Sequence, residues 1–345
     1  MAMTHSIRRF LPPYLLENLA ANGSPRLSES ARHTLLADRQ FRARAGGAVA
    51  PEANPQRGEI ARYVHSAEHR QQLPGRLVRR EGEASSNDPA VDEAYEGLGA
   101  TYDYFWRVHR RHSIDDKGMA LLATVHYGQD YENAFWDGTQ MVFGDGDGEL
   151  FNRFTIAVDI IAHELSHGVI EREAALVYAG QAGALNESLS DVFGSLVKQH
   201  QRGESADQAD WLIGRGLFTE QVAGEALRSM AAPGRAYDDP ILGRDPQPGH
   251  MRDFVVTQAD NGGVHINSGI PNRAFHLAAV TLGGPAWERA GRVWYATLLD
   301  PRLAADSDFA NFAQLTVDHA ARIFGLTSPE RRAVEQCWRE VGVLS

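Results

Sequence analysis

Two histidines four residues apart, His163 and His167, and a glutamate beside the first, Glu164, are the residues of this chain best suited to chemistry. On a helix that spacing puts both imidazoles on one face, a turn apart, where they can grip one ion. Glu164 then stands close to the ion without ligating it, placed to take a proton from a water. His-Glu-x-x-His on a helix combines a zinc site with a general base. The flanking Ile160, Ile161, Ala162 and Leu165 make the helix apolar, which places the pattern in a core rather than on a solvated face. A zinc site that does chemistry needs a third protein ligand and an open position. Glu187 and Asp191 lie four apart, ahead of the apolar run Val192-Phe193-Gly194-Ser195-Leu196-Val197. One of the two can bind the metal, and the other can accept the spare ring N–H of a ligand histidine.

The elements that must position these groups can be read from periodicity. Phe10 to Leu19 is a proline-started amphipathic helix, and Ser28 to Ala43 is a polar second one. The stretch from Ala45 to Pro55 reads as a flexible linker. From about 57 to 155 short strands dominate, including Met119–Tyr127 and the turn-then-strand segment 133–143, around one long helix over 88–112. Gly144-Asp145-Gly146-Asp147-Gly148 reads as a loop, since the full twelve-residue calcium loop is absent. Helices follow over 155–170, 185–200, 271–282, 288–298, 309–324 and 329–341, interrupted by a loop-rich stretch from 231 to 266. The fold class is α+β, a β-rich half followed by an α-helical half, with the metal helix at the junction.

Composition sets the outer limits. A chain of 345 residues that is 43% hydrophobic has room for two domains with sizeable cores. A net charge of −11 argues against nucleic acid or an anionic membrane as partner. The single cysteine, Cys337, excludes an intrachain disulfide and reads as a small buried residue of the last helix. No stretch is long and apolar enough to span a membrane. Arg8-Arg9-Phe10-Leu11 begins like an export signal, but Pro12-Pro13 and Glu17 break the apolar stretch that should follow, so no classical signal peptide is expected.

Taken together, the motifs resemble the thermolysin family of zinc endopeptidases, and within it the short-propeptide, protealysin-like branch. His163 to Gly168 resembles the metal helix, Gly183 to Asp191 the segment of the third ligand, and Asp260 to Ile270 the catalytic-histidine segment. Asn133 to Trp136 resembles the edge strand that pairs with substrate, and Phe10 to Leu19 the propeptide signature. Thermolysin is itself a standard His₂Glu zinc enzyme, so the ligand set comes with the resemblance.

The resemblance implies one zinc per chain, held by His163, His167 and Glu187, with Glu164 as general base. Asp191 would orient a ligand histidine. Tyr178 and His265 would stabilise the oxyanion, with Asp260 orienting His265. Asn133 and Ala134 would hydrogen-bond the substrate main chain, and Arg228 a substrate carbonyl. Without the metal motif, His265 would read as a histidine in a glycine turn, Tyr178 as a core tyrosine and Arg228 as a helix-end cation. Residues 1–52 would be the propeptide, an intramolecular inhibitor with Pro12-Pro13-Tyr14 in or near the cleft and cleavage in the 44–58 linker. Residues 53–170 and 171–345 would be the two catalytic domains. The expected partners are protein or peptide substrates, with no nucleic acid and no membrane, and the chain is expected to be a monomer. The family's role implies secretion, by a leaderless route, with cytoplasmic residence as the alternative. A zinc-containing binding protein that has lost turnover is the runner-up, disfavoured by intact Glu164 and His265.

One departure from the family pattern stands out. Asp159 and Asp210 remain at the family's double calcium site, but Lys198, Leu212, Arg215 and Gly216 stand where other carboxylates would be. Calcium there is doubtful, and Lys198 is expected to replace its charge, bridging Asp159 and Asp210. The pocket for the residue after the cut bond would be lined by Phe154, Ile160, Ile213, Leu217 and Leu227, all apolar. Peptide mapping should therefore find cuts on the amino side of bulky hydrophobic residues; cuts before Lys, Asp or Gly would refute this lining.

Overall fold

The computed structural model describes residues 8–43 and 55–345. The linker and its expected cleavage segment fall largely outside the described residues. Contacts divide the chain into two compact units, residues 1–168 with 214–226 and 238–243, and residues 169–213 with 227–237 and 244–345.

The first unit is built on a six-stranded sheet. Its strands are β1 (Arg8–Arg9), β2 (Arg62–Ser66), β3 (Arg76–Arg80), β4 (Leu121–Val125), β5 (Ala134–Trp136) and β6 (Met141–Phe143), in spatial order β1-β5-β6-β4-β2-β3. The central strands β2, β4 and β6 run parallel, while β3, β5 and β1 pair antiparallel at the two sides. All five residues of β4 are buried, as expected for a strand covered on both faces. Helix α1 (Pro13–Asn22) has its proline at the first turn, where no N–H is needed, and buries Leu15, Leu16 and Leu19. Phe10 and Leu11, expected inside this helix, precede it in extended chain because Pro12 keeps its own extended conformation ahead of Pro13. Helix α2 (Pro25–Ala43) follows.

Helix α3 (Pro89–His109) begins where Asp88 caps the amides of Ala90 and Val91. It stops three residues before the expected end, because Arg110 turns left-handed, with φ 58°. The metal helix α4 runs Val158–Glu173, three residues later at each end than its apolar pattern suggested. It is buried almost all round, its polar His163, Glu164, Ser166 and His167 included. A helix without a polar face must lie inside the molecule, and this one does.

The second unit is helical. It contains α5 (Gly180–Arg202), α6 (Asp260–Asn267), α7 (Gly269–Leu282), α8 (Ala290–Leu298), α9 (Phe309–Phe324) and α10 (Pro329–Glu340). A short two-stranded ribbon, β7 (Leu212–Ile213) with β8 (Arg228–Ser229), accompanies them. Residues 286–288 form a separate 3-10 turn, so α8 starts later than expected. Trp294 and Trp338 stack at 5.9 Å in the middle of this core, and the Trp338 indole donates to Thr316 Oγ1. Cys337 is buried in α10. Among the described residues, no helix is long and apolar enough to cross a membrane.

Helix α4 comes close to α3 where Ile161 faces Gly97. A Cβ added at Gly97 would lie 3.1 Å from both Cβ and Cγ2 of Ile161, a branched side chain with little freedom to move. The substitution Gly97→Ala should destabilise the protein by about 1–3 kcal/mol through overpacking, read as a lower urea midpoint at unchanged slope.

Candidate functional site

In the first unit, His163, Glu164 and His167 each offer a ligand atom within 4.8 Å of the others, and all three are buried. The two imidazoles meet edge to face at 4.7 Å, as expected one helical turn apart. Two neutral nitrogen donors beside a carboxylate suit zinc, so these residues fit the metal that the sequence pattern implies. Glu164 Oε2 accepts the backbone N–H of Trp136 at 3.0 Å. The sequence alone does not mark this donor, because every non-proline residue carries the same amide.

The edge of β5 beside this cluster is covered by the start of the chain. Arg8 and Arg9 pair with Trp136 and Phe135, and the Phe10 amide donates to Ala134 O at 3.0 Å. Asn133 clasps Leu11 from both sides: its Oδ1 accepts the Leu11 N–H at 2.9 Å and its Nδ2 donates to the Leu11 carbonyl at 3.3 Å. The Phe10 ring sits 5.3 Å from the His163 ring, edge on. Phe10 and Leu11, immediately before Pro12-Pro13-Tyr14, make these contacts. The extension is fastened elsewhere as well. Arg9 pairs with Asp38 at 2.8 Å with both side chains buried, and Asp38 also accepts the Tyr131 hydroxyl at 2.6 Å. Asn18 donates to Leu242 O, and Arg26 to Asp147 O. Phe154, Ile160 and Leu217 are fully buried in this unit.

The second unit carries a separate group of polar side chains. Glu187, on α5, accepts the Tyr178 hydroxyl through Oε1 and lies 3.5 Å from His265 Nε2 through Oε2. Tyr178 Oη and His265 Nε2 are 3.3 Å apart. Asp260 holds His265 at two points: Oδ1 meets Nδ1 at 2.7 Å, and Oδ2 accepts the His265 backbone N–H at 2.8 Å. The chain achieves this with left-handed residues from Asp260 to Gly263 at the head of α6. Gly262 and Gly263 reach φ 86° and 76°, where a side chain would be strained. Burial opposes the charge on the His265 imidazolium, but the Asp260 and Glu187 carboxylates outweigh it and push its pKa up to about 9.

Asp191 lies one turn beyond Glu187. It accepts a two-point contact from the Arg228 guanidinium, Nε to Oδ2 and Nη2 to Oδ1, both 2.8 Å. Asn272 Nδ2 donates to Asp191 Oδ2 at 2.8 Å, a partner the sequence reading missed. A buried asparagine within an apolar helix such as α7 was the available signal. Arg228 stands on β8, not at a helix end. Ile213 and Leu227 are buried, with the Leu227 amide donating to Ile213 O. Lys198 Nζ donates to Asp210 at 2.8 Å and to the Leu212 carbonyl. In the first unit, Asp159 accepts the Gly214 N–H and Arg215 pairs with Glu225 at 3.8 Å.

Comparison with known proteins places these residues in context. The family described as "Thermolysin metallopeptidase, catalytic domain" matches residues 49–171, and "Thermolysin metallopeptidase, alpha-helical domain" matches 174–343. An "Extracellular metalloprotease" of Pectobacterium carotovorum subsp. carotovorum is 55% identical, covering 96% of this chain and 95% of its own. "Protease PrtS" of Photorhabdus sp. (strain Az29) is 48% identical, covering 98% and 93%. Among solved structures, "Precursor of Protealysin, Metalloproteinase from Serratia proteamaculans" superposes with a TM-score of 0.91 at 55% identity, covering 97% of this chain and 99% of that one.

One acid beneath the extension has a measurable consequence. Glu132 is fully buried, and its backbone N–H donates to Thr34 Oγ1 of α2. Burial, and then the neighbouring Asp147 carboxylate, push its carboxyl from the usual 4.5 up to about 9. Covered, the group is neutral; once uncovered, it returns toward its ordinary range and ionises. Docking of the extension is therefore strongest at acid pH and weakens as pH rises toward 9. The inhibition constant of a peptide spanning the extension, added to the trimmed protein, should rise by up to about tenfold per pH unit in that window. In Glu132→Gln the slope should flatten.

Proposed function

The chain belongs to the thermolysin metallopeptidase family, and from that membership we propose how its residues divide the work of cutting a peptide bond. It is a zinc endopeptidase made as a zymogen. The observation that carries the residue-level reading is the buried trio His163, Glu164 and His167 with ligand atoms in reach of one another. His163 and His167 would hold the zinc, with Glu187 as the third ligand that the family resemblance implies. Bound zinc polarises a carbonyl and acidifies water toward neutrality. Glu164, fixed by the Trp136 amide, takes the proton of the attacking water and passes it to the leaving amine.

Tyr178 and His265 donate to the oxygen that gains charge in the transition state. The Asp260 contact keeps one His265 proton on Nδ1 and leaves Nε2 as the working donor. Arg228, held rigid by Asp191, binds a substrate carbonyl. Asn133 and Ala134 take the substrate main chain, and support for this comes from Leu11 and Phe10, which use the same atoms in the zymogen. Burial of Phe154, Ile160, Ile213, Leu217 and Leu227 supports a preference for bulky hydrophobic side chains. Similarity to a relative named as extracellular supports secretion. The Lys198–Asp210 pair supports a fold that does without calcium at that position.

The test is the intact mass of the full-length chain over time, wild type beside Glu164→Ala, with the zinc content of each. Wild type should lose its N-terminal extension while the zinc-loaded variant stays whole. Equal trimming of both chains would remove Glu164 from the role of base.

A further inference from the structure

We propose that His69, His126 and Asp145 form a second metal site, for a first-row divalent cation of the zinc type. The three residues come from three loops and offer ligand atoms that lie within 4.8 Å of one another. Topology brings them together. Strands β2, β4 and β6 are mutually parallel, so their C-terminal ends lie on one side of the sheet. His69, His126 and Asp145 stand three, one and two residues beyond those ends.

Both imidazoles aim Nδ1 at the same carboxylate. His126 Nδ1 lies 2.9 Å from each Asp145 oxygen, and His69 Nδ1 lies 3.4 Å from Asp145 Oδ2. A tetrahedral ion with bonds of about 2.0–2.1 Å spaces its donors about 3.3 Å apart, so little movement is needed to admit one. The second nitrogen of His126 is also engaged. Its Nε2 lies 2.9 Å from Asp88 Oδ2, while Asp88 Oδ1 caps α3. A carboxylate behind a ligand histidine is the usual way to fix the tautomer that leaves the other nitrogen for metal. Binding exchanges the proton between His126 Nδ1 and Asp145 for the cation and releases that proton to solvent.

The backbone is bent to this arrangement. Glu68, His69 and His126 have φ of 52°, 60° and 55°, and the His69 amide donates to the His126 carbonyl at 2.9 Å. Two imidazoles favour zinc, cobalt, nickel or copper over calcium or magnesium, which take oxygen. His69 is 55% exposed, which gives an ion a way in. Arg153, whose charge reaches Asp145 and Asp88, is itself held by Glu93 at 2.7 Å. The ion would be structural, tying three loops together at one end of the sheet.

Zinc bound per chain can be counted by equilibrium dialysis of full-length Glu164→Ala, alone and combined with His69→Asn. Asparagine tolerates the left-handed backbone at position 69, and matching thermal unfolding of the two chains in EDTA verifies folding. Two zinc ions per chain are expected in the parent. In His69→Asn one of them should be lost or weakened at least about tenfold. Asp145→Asn should give the same loss. A single zinc ion in the parent, or two that both substitutions leave in place, overturns the proposal and leaves the cluster as an ion-pair network.

Discussion

A sheet edge cannot be left bare. Strand β5 presents a row of main-chain donors and acceptors, and an uncovered row invites any extended chain to pair with it. In this protein the row is covered. The occupant is its own N-terminal segment, which supplies β1, seats Phe10 against His163 and gives Leu11 to Asn133. Sheet, metal helix and extension form one device. While the extension holds these hydrogen bonds, no other extended chain can pair with the same atoms.

The metal helix shows the reverse economy. Most helices bury one stripe, whereas α4 buries every side, with two imidazoles and a carboxylate among the buried groups. Buried polar groups are tolerated only when each is given work or a partner. Glu164 receives the Trp136 amide from β5, so the strand that pairs with the extension also steadies this carboxylate. In the second unit Asp191 gathers Arg228 and Asn272, and Asp260 gathers His265. These contacts fix the direction in which each side chain points, and direction is what catalysis requires.

Much of this was legible in the sequence, for a physical reason. Chemistry that sits at fixed spacing on one helix needs no tertiary information, so His163, Glu164 and His167 could be read directly. The turn before His265 was equally legible, because consecutive glycines mark a backbone that other residues avoid. The α+β order of elements followed from periodicity. What could not be read was any partnership made by the fold. Arg228 lies 37 residues from Asp191, and nothing local links them. Phe10 and Leu11 continue an apolar helical pattern on paper, yet a pair of prolines and a waiting sheet edge hold them extended. Asp145 was seen only as part of an acidic glycine loop, because its partners His69 and His126 arrive from other strands.

The fastening of α1 sets a timetable. Asn18 and Asn22 reach the carbonyls of Leu242 and Ile241, a separation of more than two hundred residues. Contacts so distant in sequence form late, after much of the chain has emerged and folded. The extension precedes its partners by more than two hundred residues, yet it cannot finish docking until a segment well past the middle of the chain is in place. Docking of the extension therefore completes only when the first unit does. A truncated or half-folded chain that lacks Ile241 and Leu242 has no finished seat for its extension.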